Sequence, residues 1–313
     1  MSRGLGDVYK RQILVTGALG NTGWKLVCHL ARTSHAERVV AVDVAAPGPD
    51  HVEALRRIAA ERSHAGPEVD LRRTDLTDWA DPAWREGVAE SRAIVHLAAQ
   101  NPRPEATWAD AVASLDMTAN LMAAAADSAP LRRLVFASSS HVMGGYMKVD
   151  LDPGTLDTGR DPAVGTVWKA GSRRMNATPY AAPKLAGERM GRTLARRSEG
   201  RCTVVCLRLG WVQVGANLPA TLSAAGTPSM KPVRGAEADP EVTRAARWFR
   251  ELWLSNRDYE RLMDRALEAD GTSWPEGFVI VNAMSRNPGL RWSLEEARQW
   301  LQWEPEDGID AGD

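Results

Sequence analysis

Tyr180 and Lys184, in Tyr180-Ala-Ala-Pro-Lys184, stand four residues apart and could move a proton. At that spacing two side chains share one helix face. A free phenol has a pKa near 10, so work as a base near pH 7 requires roughly 4 kcal/mol of preferential phenolate stabilisation. An ammonium one turn away supplies part of it. Upstream, the apolar run Leu134-Val-Phe-Ala-Ser138 leads into Ser139-Ser140-His141. A hydroxyl at such a strand end can hold the oxygen whose proton the phenol takes. Tyr-x-x-x-Lys arises often by chance, so its surroundings decide its meaning.

Gly17-Ala-Leu-Gly20-Asn-Thr-Gly23 directly follows the β-branched run Ile13–Thr16 and opens a helical stretch. Glycines there allow a tight turn and close backbone approach, so a pyrophosphate can sit on the helix N-terminal amides. Alone, the motif could be a structural strand-to-helix turn. Asp43, which ends the second strand twenty residues after Gly23, adds a carboxylate for the ribose hydroxyls of a dinucleotide. The same carboxylate repels a 2′-phosphate, and Val44 rather than an arginine follows it, so NAD is expected over NADP. The expected cofactor set is Gly17, Leu19, Gly20, Asn21, Gly23 and Asp43. Asp75-Leu76 either touches the adenine or caps a helix. With NAD in place, a serine hydroxyl orients the substrate oxygen, and Tyr180 takes its proton as hydride leaves the adjacent carbon. The positive nicotinamide ring then joins Lys184 in stabilising the phenolate.

Such groups must be held by a sheet. Strands are expected at Ile13–Gly17, Arg38–Asp43, Val69–Asp75, Ala93–Ala98, Leu134–Ser138, Thr203–Leu209 and Phe278–Asn282. Between them lie helix-like segments at Thr22–Ala31, Trp108–Ala126, Tyr180–Arg197, Pro240–Leu254 and Arg257–Ala269. Strands alternating with helices imply βαβ crossovers and a doubly wound parallel α/β sheet. Residues 13–210 are expected to form the nucleotide-binding domain and 211–313 a small C-terminal substrate cap, interleaved with a strand near 277–283 that returns to the sheet. Pro47–Gly66, a helix-bearing connection, and Met147–Thr178 read as insertions at the sheet's rim.

Composition excludes several other classes. A chain of 313 residues can bury a substantial core, and 39 basic against 40 acidic residues leave a net charge of −1. Nothing steers it toward nucleic acid or an anionic membrane. The cluster Arg192, Arg196, Arg197 and Arg201 reads as a solvated helix end. Cys28, Cys202 and Cys206 form no Cys-x-x-Cys pair, which argues against a disulfide framework or a metal site and for a reducing compartment, the cytoplasm. No run approaches the ~20 apolar residues of a membrane helix. Trp248, Trp253, Trp300 and Trp303 fall in helix-like segments and are expected in the core. Met1–Gln12 lacks periodicity and is expected to be a tail foreign to the fold.

Taken in order, the glycine loop, Asp43, Asp75-Leu76, His96-Leu-Ala-Ala99, the serine run and Tyr180/Lys184 resemble the extended short-chain dehydrogenases/reductases, the NAD-dependent epimerase/dehydratase group. The resemblance runs from residue 13 to about 313 and implies a Rossmann fold. Val135-Phe-Ala-Ser-Ser-Ser-His-Val-Met-Gly144 and the tail Val281-Asn-Ala-Met-Ser285 with Trp303-Glu-Pro305 are similar to uronate dehydrogenases. This implies Ser139, Tyr180 and Lys184 as catalytic residues, Leu97, Ala98, Ala99, Leu209 and Gly210 against the cofactor, and Asn101, Ser140, His141 and Trp211 near the substrate. It also implies a homodimer through the Trp108–Ala126 and Tyr180–Arg197 helices, although Ala-rich faces equally suit packing within one subunit. The uronate enzymes place an arginine for the substrate carboxylate after the strand matching Thr203–Leu209, and here that segment has none. Lys169, Arg173 and Arg174 could replace it or belong to a solvated loop. His96 is expected to pack at the end of its strand, His141 to serve either substrate or loop, and Arg208 to fix neighbouring backbone.

The function these readings support is hydride transfer from a hydroxyl or hemiacetal carbon of a small sugar-acid-like substrate to NAD. The rivals are a nucleotide-sugar epimerase or dehydratase with tightly held NAD, and a non-catalytic dinucleotide sensor on the same fold.

Overall fold

The computed structural model describes residues 12–34, 36–63, 65–100, 106–170, 173–222 and 239–309. Seven strands form one sheet: β1 (Gln12–Thr16), β2 (Arg38–Asp43), β3 (Glu68–Arg73), β4 (Ala93–His96), β5 (Arg133–Ser139), β8 (Thr203–Leu209) and β9 (Phe278–Ala283). All pair in parallel, in the order β3-β2-β1-β4-β5-β8-β9. Helices cover both faces, so the inner strands read as unbroken apolar runs. Along β1 and β4 the pleat divides them: Ile13, Val15, Ala93 and Val95 face one core, and Leu14 and Ile94 the other.

The first core is closed by α1 (Asn21–Thr33) and α7 (Asn256–Glu268) through Leu26, Leu30, Tyr259 and Leu262. The second is closed by α3 (Pro82–Glu90), α4 (Trp108–Asp127) and α5 (Thr178–Arg197) through Trp84, Leu121 and Leu194. The helix-bearing connection holds α2 (Pro49–Glu61). Strand order reverses between β1 and β4. The carboxyl ends of these strands therefore border the crevice where a dinucleotide binds in sheets of this kind.

A third core lies outside the sheet. It joins Val142, Met143, Met147, Trp168 and Met175 to Trp248 and Phe249 of α6 (Pro240–Glu251) and to Met284 and Trp292. This third core draws on residues before and after 210, so it is not confined to the segment 211–313 expected to form a cap. The reason lies in the Met147–Thr178 insertion, which ends in an antiparallel strand pair, β6 (Val167–Ala170) with β7 (Arg173–Asn176), whose Trp168, Ala170 and Met175 are buried in that core. The chain closes with α8 (Glu295–Leu301).

Other boundaries moved for local reasons. Gln12, placed in the tail by sequence, pairs with Arg38 as the first residue of β1 and donates to Ser91 Oγ at 3.2 Å. Residues 1–11 lie outside the described residues. Helix α6 stops at Glu251, where Trp211 N–H donates to the Leu252 carbonyl at 2.6 Å and the Trp211 carbonyl accepts from Leu254 N–H at 3.1 Å. Trp248, Trp253 and Trp303 are buried and Trp300 packs against the first core. The basic end of α5 is engaged: Arg196 pairs with Glu276, and Arg201 donates to the Ser128 and Ala126 carbonyls.

Candidate active site

The glycine loop leaves β1 through Gly17, whose φ of 66° lies in the left-handed region. A Cβ there would stand 2.7 Å from Ala98 N, and one on Gly23 would stand 1.9 Å from the Gly17 carbonyl. Only glycine lets α1 and the end of β4 close so tightly around the loop. Helix α1 starts at Gly20 with no side-chain cap and no acidic residue in its first turn. Its first amides are thus available to a pyrophosphate, so the cradle fits NAD. Asn21 ties this end to the far side of the crevice by donating to the Val212 carbonyl at 2.8 Å.

Asp43 accepts from Leu19 N–H and Ala45 N–H, both at 2.9 Å, so the carboxylate shapes the glycine loop. Its partner across the sheet is Arg73, whose Nε donates to the Val44 carbonyl at 3.3 Å. Sequence reading looked for a cation after Asp43 along the chain and so missed one beside it on β3. Asp75 holds Thr77 through its amide and hydroxyl, at 2.8 and 2.7 Å, while the cap of α3 is Asp81. Leu76 is buried.

The segment after β4 is held by a relay. Ala98 N–H donates to Thr16 Oγ1 (3.3 Å), which is 2.7 Å from His96 Nδ1. On the other side His96 Nε2 is 3.2 Å from Thr118 Oγ1, whose proton goes to the Ser114 carbonyl. The Thr118 hydroxyl is thus committed as a donor, so His96 carries its proton on Nε2. Burial, helped by Lys184, pushes the pKa of His96 down to about 3. His96 therefore packs as expected, and it also sets the Leu97–Ala99 backbone.

Tyr180 lies in the first turn of α5, and its phenol faces the Ser139 hydroxyl at the end of β5. Burial pushes the phenol up to about 12, and Ser139 draws it partly back. Lys184, itself buried, is pushed down to about 8 and donates to the Ala137 carbonyl at 2.7 Å, its Nζ 5.8 Å from the Tyr180 ring centre. Ser139 Oγ also accepts from His141 N–H at 3.1 Å. The side chain of His141 stands edge-on to Tyr180, 5.9 Å between ring centres, with Nδ1 2.7 Å from Thr166 Oγ1. Burial pushes this imidazole down to about 4, so it is neutral near pH 7. Ser140 is buried, Leu209 ends β8 with Gly210 following it, and Trp211 lies 5.7 Å from Phe249. Asn101 lies outside the described residues.

Residues 13–217 match the profile of the NAD dependent epimerase/dehydratase family. The chain belongs to that family. It is an NAD-dependent enzyme of the extended short-chain dehydrogenase/reductase type. Over 217 residues, 68% of this chain and 74% of the relative, it is 33% identical to an L-arabinose 1-dehydrogenase (NAD(P)(+)) of Haloferax volcanii. Over 235 residues, 74% of each chain, it is 28% identical to the NAD-dependent glucose-6-phosphate dehydrogenase of the same organism. Among solved structures it is similar to a mutated uronate dehydrogenase, with a TM-score of 0.61 and 22% identity over 95% of this chain and 82% of that one. It is also similar to MoeE5 in complex with UDP-glucose and NAD, with a TM-score of 0.60 and 21% identity over 95% and 94%. At these identities the two structures show the shared fold.

Two features of this family member escaped sequence reading. Arg208 binds the Glu188 carboxylate through two nitrogens, at 2.8 and 2.9 Å, and Ser138 Oγ donates to the same carboxylate at 2.6 Å. All three are buried. Arg208 thus fixes a side chain on α5 rather than backbone; the available signal was Glu188, one turn beyond Lys184 on the Tyr180 face. The second feature is an aromatic wall beside His141. Trp168 stacks on it at 6.2 Å, and Phe249 lies 5.0 Å from Trp168. Of the cations considered for a substrate carboxylate, Lys169 pairs with Glu241 and Asp239 of the α6 end, and Arg173 and Arg174 are exposed on β7.

Proposed function

We propose that this enzyme oxidises the anomeric carbon of a small sugar or sugar acid, with Tyr180 as base. The observation that carries the reading is the Tyr180 phenol facing Ser139, with Lys184 one turn below and the glycine cradle at the same end of the sheet. NAD, when bound, supplies the acceptor for the hydride lost from that carbon. Ser139 holds the hemiacetal oxygen, and Tyr180 takes its proton, leaving a lactone. A phenol at about 12 cannot do this alone at pH 7, so its proton is taken only when positive charge gathers beside it. Lys184, anchored on Ala137, is the fixed part of that charge.

The neutral His141 and the faces of Trp168, Phe249 and Trp211 suit the C–H face of a sugar ring better than a bare carboxylate. The arabinose dehydrogenase relative agrees with a free aldose as substrate. Assigned to the cofactor are Gly17, Leu19, Gly20, Asn21, Gly23, Asp43, Asp75, Leu76, Leu97, Ala98, Ala99, Leu209 and Gly210, together with Tyr180 and Lys184. Asn101, Ser140, His141 and Trp211 are assigned to the substrate.

The test incubates purified protein and NAD with pentoses, hexoses, uronates and nucleotide sugars and follows absorbance at 340 nm. Steady NADH release with a free sugar supports the reading. Conversion of a nucleotide sugar without NADH release supports an epimerase.

A homodimer is part of the same proposal. Trp108, Val112 and Leu115 form one stripe of α4, 62%, 56% and 38% exposed, beside α5. Among the described residues no helix is long and apolar enough to cross a membrane. The unpaired Cys202 and Cys206, both buried, support a cytoplasmic address.

A further inference from the structure

A pocket of about 330 Å3 opens on the cap, lined by Met147, Asp150, Pro240, Thr243, Arg244, Arg247 and Arg291. Pro240, Thr243, Arg244 and Arg247 follow one another at helical spacing, so one face of α6 makes one wall. Phe249, which meets the aromatic wall beside His141, lies two residues on from Arg247, roughly 200° around the helix. The pocket and the hydride-transfer site therefore flank opposite sides of α6.

Its charge is unbalanced. The Glu251 carboxylate, 1% exposed, is shared by Arg247 Nε at 2.9 Å and Arg291 Nε at 2.7 Å. One negative charge thus answers two guanidinium groups. Arg291 is itself almost wholly buried, stacks 4.9 Å from the Trp248 ring, and has an Nη2 with no hydrogen-bond partner. A buried guanidinium with an unmade bond is costly to keep, and its presence on a pocket wall favours an anionic occupant. Arg244 is exposed and makes no ion pair among the described residues. Among the described residues Asp150 is the one carboxylate on the wall.

We propose that this pocket binds a small oxyanion, a phosphate or carboxylate borne on a polyhydroxy compound. Arg244, Arg247 and Arg291 hold the anionic group, and Asp150 accepts from a neighbouring hydroxyl. The pocket is large enough for such a small molecule. Because it sits across α6 from Tyr180, the site serves recognition or regulation rather than hydride transfer.

The test is calorimetric titration of the full chain at constant ionic strength, with inorganic phosphate in one arm and gluconate in the other, against chloride as blank. Saturable binding in either arm is expected, and the tighter arm identifies the anionic group. Arg244→Gln should weaken it about five- to tenfold, the loss of one charge-assisted contact. Asp150→Asn should tighten phosphate binding by removing a like charge. Both variants should bind NAD and turn over substrate as the parent does, so failure here leaves the dehydrogenase reading standing. Heat no greater than that of chloride in both arms, or binding unchanged in both variants, would overturn the proposal.

Discussion

Lys184 donates its hydrogen bond to the Ala137 carbonyl at 2.7 Å and leaves the Tyr180 phenol to Ser139. The ammonium is thereby fixed by the end of β5, 5.8 Å from the ring it serves, and acts on the phenol through space. Burial has pushed Lys184 down to about 8. The alkaline limb of activity follows from this. The ammonium helps the phenolate only while protonated, so kcat/KM for the sugar should fall above pH about 8. An arginine keeps its charge throughout that range, so Lys184→Arg, at lower overall activity, should lose that fall. Matching pH profiles for parent and variant would assign the limb to another group.

Asp43 should govern cofactor choice. Asp43→Asn removes the charge proposed to receive the ribose hydroxyls and repel a 2′-phosphate, while Arg73 remains beside it. NAD should bind about tenfold more weakly, and the NADP-to-NAD affinity ratio should rise. Trp24, next to Gly23, makes intrinsic fluorescence a suitable readout. An unchanged ratio would remove Asp43 from the ribose.

Acid should destabilise the fold through His96. Its pKa is about 3 when folded against 6.5 as a free side chain, so the unfolded chain binds the extra proton between these values. The stabilisation is fully present above pH 6.5 and is lost as pH falls toward 3. Between pH 7 and 5 that loss is about 2 kcal/mol. His29, raised by Asp264, works in the opposite sense and offsets part of it. In urea unfolding, His96→Gln should be less stable than the parent at pH 7 and lose less on acidification to pH 5.

Arg208→Met strands the Glu188 carboxylate inside the protein. It should cost about 3–5 kcal/mol in urea unfolding, and Glu188→Met in the same chain should restore a large part of it. No recovery in the double variant would mean that Arg208 acts through packing alone.

The inner strands of the sheet were legible because they are buried on both faces. Apolar runs bounded by glycine or polar residues mark the inner strands, the edge strand β3 carries only Val69 and Leu71, and the glycine loop marks where α1 begins. The hairpin Val167–Asn176 was not, because two four-residue strands with Lys169, Arg173 and Arg174 outward carry too short an alternation. Within the site, Tyr180, Lys184 and Ser139 announce themselves by local spacing. Phe249 and Trp168 meet only because the fold brings together residues 81 positions apart in the chain, and no local pattern encodes that contact. Arg73 escaped for the same reason: its neighbour is Asp43 across the sheet, thirty positions away in the chain.

The measurement that bears most directly on the central claim compares the parent enzyme and Tyr180→Phe with NAD and a free aldose, following NADH and lactone together. The parent should release one NADH per lactone at a steady rate. Tyr180→Phe should still bind NAD while losing about 10²–10⁴-fold in kcat. Turnover by Tyr180→Phe at the parent's rate, or sugar conversion by the parent with no NADH released, would contradict the account.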